Sequence, residues 1–93
     1  MYSFIFTYEL ESKEKRDAFF SELTENDIEN KCSNEEGCNI YKYLFAPCDY
    51  THIYISESCI DKQSQQVHCT QPHCLLIQEL KKKYGVKSSV TEM

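Results

Sequence analysis

Residues 38–59, CNIYKYLFAPCDYTHIYISESC, read as two strands folded back on one another. Side chains alternate from Cys38 to Phe45, with Cys38, Ile40 and Leu44 on one side and Tyr41, Tyr43 and Phe45 on the other. Such a period of two is the mark of a strand, whose successive side chains point to opposite faces. Ala46-Pro47-Cys48-Asp49 carries turn chemistry, because proline presets φ and aspartate bonds to nearby backbone. Tyr50 to Cys59 forms the next predicted strand, with Ile53, Ile55, Glu57 and Cys59 against His52, Tyr54, Ser56 and Ser58. Both strands are substantially apolar or aromatic on both faces, whereas a sheet with one wet face alternates more cleanly. Both faces of this sheet are therefore expected to be covered.

The flanking segments supply one cover. Upstream, Tyr2, Phe4, Phe6 and Tyr8 recur at period two and predict a first strand. Ser12 offers an N-cap and Glu14 an acidic first turn for a helix beginning near Lys13. Phe19, Phe20 and Leu23 fall on one face of it, and Ile28 and Cys32 continue the stripe less regularly. Asp27 interrupts that stripe, so a bend or split is expected between Thr24 and Asp27, and Gly37 ends the segment. Downstream, Asp61 caps a short helix to about Cys69, and Pro72 suits the first turn of another. Leu76, Ile77, Leu80 and Tyr84 give that helix its apolar stripe, Gly85 stops it, and Val86 to Thr91 reads as a short terminal strand. Helices between antiparallel strands make an α+β sandwich in one domain over residues 1–93. Helices cover one face only, and a second copy of the chain is the economical cover for the other, which predicts a homodimer.

Bulk properties exclude several functions. A chain of 93 residues buries only about 60–65% of its unfolded surface and gains from a partner, a metal or disulfides. The six cysteines Cys32, Cys38, Cys48, Cys59, Cys69 and Cys74 would form a disulfide framework in a secreted protein. Met1 to Leu10 has neither a basic region nor a continuous apolar run of the kind that directs secretion. The thiols are thus expected to be reduced and the protein cytoplasmic. No segment reaches the length of about 18–20 apolar residues that spans a bilayer. The net charge is -5 with a single arginine, Arg16, which argues against nucleic acid. Lys81, Lys82 and Lys83 complement the negative end of a helix dipole.

Three pieces of sequence, in order and at matching distances, resemble a known family. Glu36-Gly37-Cys38 followed by Tyr41 is similar to the Pro-Gly-Cys…Tyr opening of the second strand in antibiotic biosynthesis monooxygenase domains. Glu57-x-Cys59-x-Asp61 resembles that family's Glu-x-Trp-x-Asp, and His68-x-x-x-Pro72-His73 its histidine followed by a Thr/Ser-Pro-His segment. The resemblance implies a ferredoxin-like antiparallel sheet with helices on one face, paired into a dimeric α/β barrel. It also implies a small-molecule cavity between sheet and helices. Members oxygenate phenolic or quinol-type compounds without metal or flavin, degrade haem, or process small signalling molecules. This chain departs from the pattern at Cys59, where the family has tryptophan, and at Cys74, where an aromatic usually follows the Pro-His pair. The first strand lacks the asparagine of the haem-degrading branch, and Gln78 stands near its helix histidine, which argues against haem degradation.

The resemblance directs attention to His68, Glu57 and His73 as catalytic candidates, with Tyr41, Tyr43 and Cys59 as candidate substrate contacts. A histidine titrating near neutrality can take a proton from a phenol, leaving an electron-rich anion that reacts with oxygen. Both histidines can equally serve as hydrogen-bonding caps at the break between the last two helices. Glu57 can orient a histidine, act as a base with a raised pKa, or accept backbone amides. The tyrosines, Tyr50 and Tyr54 included, line a cavity on one reading and fill the dimer interface on the other. A metal site built from His68, Cys69, His73 and Cys74 is not expected, since adjacent helical residues point about 100° apart. No metal and no cofactor is therefore predicted. Two functions remain: a cofactor-independent monooxygenase acting on a small phenolic or quinol-type substrate, or a non-catalytic small-molecule-binding protein of the same dimeric fold.

Overall fold

Tyr2–Glu9 forms β1, one of the two inner strands, because Tyr2, Phe4, Phe6 and Tyr8 recur on one face, with Phe4 and Tyr8 buried there. The computed structural model describes residues 2–92. After β1 come α1 (Lys13–Glu25), α2 (Ile28–Ser33), β2 (Cys38–Leu44), β3 (His52–Cys59), α3 (Lys62–His68), α4 (Pro72–Tyr84) and β4 (Lys87–Glu92). The strands order as β2-β3-β1-β4, all antiparallel, which is the ferredoxin-like arrangement. In register, Phe4 faces Glu57, Phe6 faces Ile55 and Tyr8 faces Ile53, so these side chains share the face on which the helices pack.

Local chemistry sets each helix end. The Ser12 side chain accepts from the Lys15 amide at 3.2 Å and caps α1, and Asp61 does the same for α3 through the Ser64 amide at 2.8 Å. Asp27 adopts a left-handed conformation with φ of 55°, which splits α1 from α2 where the apolar stripe breaks. Pro72 occupies the first turn of α4, and Gly85, with φ of 64°, ends it. The core joins Phe19 and Leu23 of α1, Ile28 and Cys32 of α2, and Ile77 and Leu80 of α4 to Ile53 and Ile55 of β3. Phe19 is fully buried, and its loss to alanine costs about 3–5 kcal/mol by burial and cavity formation.

The expected element order holds, with three local corrections. Tyr50 lies before β3 and is exposed, because Asp49 turns the chain back by accepting from the Thr51 and His52 amides. Cys38 belongs to the helix-facing side with Tyr41 and Tyr43, since a bulge between Cys38 and Ile40 shifts the register and pairs Cys38 with Cys59. Phe45 falls beyond β2 and rests on Phe20 and the Arg16 guanidinium. The outer sheet face carries Ile5, Ile40, Leu44 and Tyr54 between Ser3, Thr7, Lys42, Ser56 and Ser58, so it is more mixed than the strand pattern suggests. Among the described residues no helix is long and apolar enough to cross a membrane.

Candidate functional site

Three chain segments meet at the end of β3. The first is the last turn of α2 with the loop that follows, carrying Cys32 and Glu35. The second is the inner face of β3, carrying Glu57. The third is the break between α3 and α4, which places His68 last in α3 and His73 second in α4. Gly37 holds these segments together. Its φ of 86° turns the chain into β2, its carbonyl accepts from the Ile60 amide at 2.9 Å, and a side chain there would collide with Ser64 of α3.

His68 lies between two carboxylates. Its Nδ1 bonds Glu35 Oε2, and its Nε2 is 3.3 Å from Glu57 Oε1. His73 Nε2 lies 3.4 Å from the same Glu35 oxygen but out of line for a hydrogen bond, and it is buried without a partner. Glu57 is 1% exposed, and its Oε2 also lacks a partner. Burial, and after it the Glu35 carboxylate, push the Glu57 carboxyl up to about 7. No lysine or arginine pairs with Glu35 or Glu57 among the described residues, and the basic side chains beside them are the two imidazoles. A neutral imidazole carries one N–H, so facing two carboxylates requires a second proton, on the ring or on a carboxyl. Glu57, inclined to keep a proton, makes the group a short path along which protons can move.

His68 borders two spaces. A surface cavity of about 260 Å³ runs along Glu35, Glu36, Ser64, Val67 and Gln71. An internal cavity of about 60 Å³ lies between sheet and helices against Phe6, Tyr8, Tyr41 and Cys74. The larger cavity of about 340 Å³ under the α1–α2 break is lined by Phe20, Asp27 and Tyr43 and holds no imidazole, so the chemistry points to the His68 spaces.

The structure thus brings together His68, Glu57 and His73, and sets Tyr41 beside them with its ring centroid 6.0 Å from that of His68. Tyr43 borders the α1–α2 cavity instead. Cys59 is buried at the end of β3, where burial first and Glu57 second push its thiol up to about 11. Cys69 and Cys74 follow their histidines, but Cys69 is exposed and the converging partners are Cys32 and Glu35. Sequence reading passed over these two. Their signal was the Cys32-x-x-Glu35 spacing at a helix end, which carries meaning only beside the His68–His73 pair.

No family model matches this chain, and no curated protein does. Solved structures do. A candidate antibiotic biosynthesis monooxygenase from Deinococcus radiodurans is 19% identical, with a TM-score of 0.86 over 100% of this chain and 90% of its own. One from Nitrosomonas europaea is 18% identical, with a TM-score of 0.81 over 98% and 96%. SnoaB, a cofactor-independent oxygenase from Streptomyces nogalater, is 10% identical, with a TM-score of 0.72 over 99% and 89%. Identities this low speak to architecture alone: the chain has the fold of the antibiotic biosynthesis monooxygenases.

Proposed function

We propose that the protein is a cofactor-independent monooxygenase acting on a small phenolic or quinol-type substrate. The supporting observation is His68, buried between Glu35 and Glu57 and bordering a cavity of about 260 Å³. Oxygen is a triplet and reacts slowly with closed-shell molecules unless they are easily oxidised anions. His68 accepts the substrate's proton, Glu57 holds and relays it, and His73 shares Glu35 with His68. In an anthrone-type substrate the activated methylene carbon keeps one oxygen atom as a carbonyl. The other atom leaves as water with the two hydrogens. The cavity lies just below the range of about 300–1,000 Å³ usual for drug-sized ligands, which suits a small aromatic substrate. Tyr41 stands behind His68 and walls the smaller cavity between sheet and helices, while Tyr43 and Cys59 line neither His68 space.

The proposed partner is a second copy of the chain, docked on the outer sheet face through Ile5, Ile40, Leu44 and Tyr54. Six unpaired thiols suit a reducing, cytoplasmic setting. One observation favours a second reading, a non-catalytic small-molecule-binding protein of the same dimeric fold. The cavity between sheet and helices is only about 60 Å³ and is walled by Tyr8 and Tyr41, room for about two waters. Oxygen uptake against a panel of hydroquinones and anthrones separates the two. Turnover that falls about 10²–10⁴-fold in His68→Ala supports the oxygenase. Binding without uptake supports the alternative, and full turnover in His68→Ala overturns the role of His68.

A further inference from the structure

We propose that Cys32, Glu35, His68 and His73 form a tetrahedral site for a divalent transition cation of the zinc type. One donor atom from each lies within 4.8 Å of the others. Tetrahedral bonds of about 2.0–2.3 Å set donors about 3.3–3.8 Å apart, so closure asks for shifts of about 1 Å. The spacing is that of structural zinc sites, two short pairs from separate segments, here Cys32-x2-Glu35 and His68-x4-His73. Two adjacent His-Cys pairs are poorly placed to converge on one ion, but taking the histidine from each and adding the end of α2 removes that obstacle.

Three further observations point the same way. His73 Nε2 is buried in the cluster with no hydrogen-bond partner, 3.4 Å from Glu35 Oε2, and is open to a cation seated between them. His68 presents Nδ1 to the cluster while Nε2 faces the buried Glu57 carboxylate, the outer-shell arrangement that fixes the tautomer of a metal-bound histidine. Glu35 and Glu57 share a buried region that no lysine or arginine reaches among the described residues, so a divalent ion would supply the missing positive charge. A donor set of two nitrogens, one oxygen and one sulfur suits zinc and, as a spectroscopic stand-in, cobalt.

This inference concerns binding and stands apart from the proposed oxygenase activity. Where both hold, a metal on His68 occupies the lone pair that the base needs, and the loaded protein is idle until the ion is removed. The test is titration of chelator-treated, full-length Cys48→Ser/Cys69→Ser protein with Co²⁺ under anaerobic conditions. Those two changes remove the exposed thiols. The expected result is one Co²⁺ per chain, with an intense visible tetrahedral band and a thiolate-to-cobalt band, both displaced by Zn²⁺. Cys32→Ser loses the thiolate band, His73→Gln weakens binding at least tenfold, and Glu57→Gln weakens it about tenfold through His68. Circular dichroism reports whether each variant folds, and if Cys32→Ser does not, Glu35→Gln and His73→Gln decide. A spectrum that stays that of hydrated Co²⁺, or folded His73→Gln binding like the parent, overturns the site. Oxygen uptake by the metal-free protein is scored separately, so either idea can fail alone.

Discussion

Each end of β3 holds a histidine between two carboxylates, and the two ends behave in opposite ways. At the start of the strand, His52 lies 3.0 Å from Asp49 and 3.5 Å from Glu9, with its side chain 27% exposed. Asp49 is satisfied there, accepting from two backbone amides and the Tyr54 hydroxyl. The Thr51 amide, ahead of the His52 side chain, holds the Asp49 carboxyl below the usual range. At the far end, His68 is 10% exposed, Glu57 keeps an oxygen without a partner, and burial pushes its carboxyl up. Residue types match, but backbone donors satisfy the carboxylate at one end only, and water reaches that end more freely. The His52 group clamps a turn, while the His68 group retains unspent hydrogen-bonding capacity, which is what chemistry or a ligand uses.

The comparison breaks most directly on activity. His68→Ala is expected to lower oxygen uptake about 10²–10⁴-fold with an unchanged circular dichroism spectrum, while His52→Ala leaves the rate intact. Equal losses in both variants, measured on one substrate, would show that the two ends do not differ in function.

Thiol reactivity gives the next largest contrast. The thiolate is the reacting species, and a thiol held at about 11 supplies far less of it at neutral pH than an unperturbed one. Cys59 at the buried end should alkylate at least about 100-fold more slowly than an unperturbed thiol at pH 7, and burial slows it further. Cys48, exposed at the turn, should react first. Peptide mass mapping over a time course reads both, and early labelling of Cys59 would show that this end opens.

Backbone strain sharpens the contrast further. Gly37→Ala meets both a left-handed φ and the Ser64 side chain, whereas Gly85→Ala meets only the left-handed φ with open space around it. Gly85→Ala should cost about 1 kcal/mol and Gly37→Ala about 2–3 kcal/mol or more, read from denaturant midpoints. Equal midpoints would mean that α3 yields readily around Gly37.

The smallest effect belongs to Asp49. Because its folded pKa is depressed, the stability it contributes is present above the unfolded value and lost as pH falls through the folded one. Asp49→Asn should therefore lower the melting temperature at pH 7 and have little effect at pH 2. A uniform loss at both would assign Asp49 a role independent of its charge.

Periodicity, caps and helix-breaking residues together determined the helices, the strands and their order along the chain. Alternation at Phe4 and Tyr8, the break at Asp27, Pro72 at a helix start and Gly85 at its end are local instructions that neighbouring residues carry out. The resemblance to a known family brought His68, His73 and Glu57 forward, and the helix break and strand end that carry them could be read in one dimension. Other features depended on the tertiary structure. The bulge that turns Cys38 inward reflects how β2 seats against β3, which no alternation within β2 encodes. The assignment of Tyr41 and Tyr43 to different cavities follows from where α2 and α3 pack. Cys32 and Glu35 reach the histidines across more than thirty residues of chain. Their convergence is fixed by the burial of α2 and the turn at Gly37, because packing sets which side chains lose water together, and the loss of water separates His68 from His52.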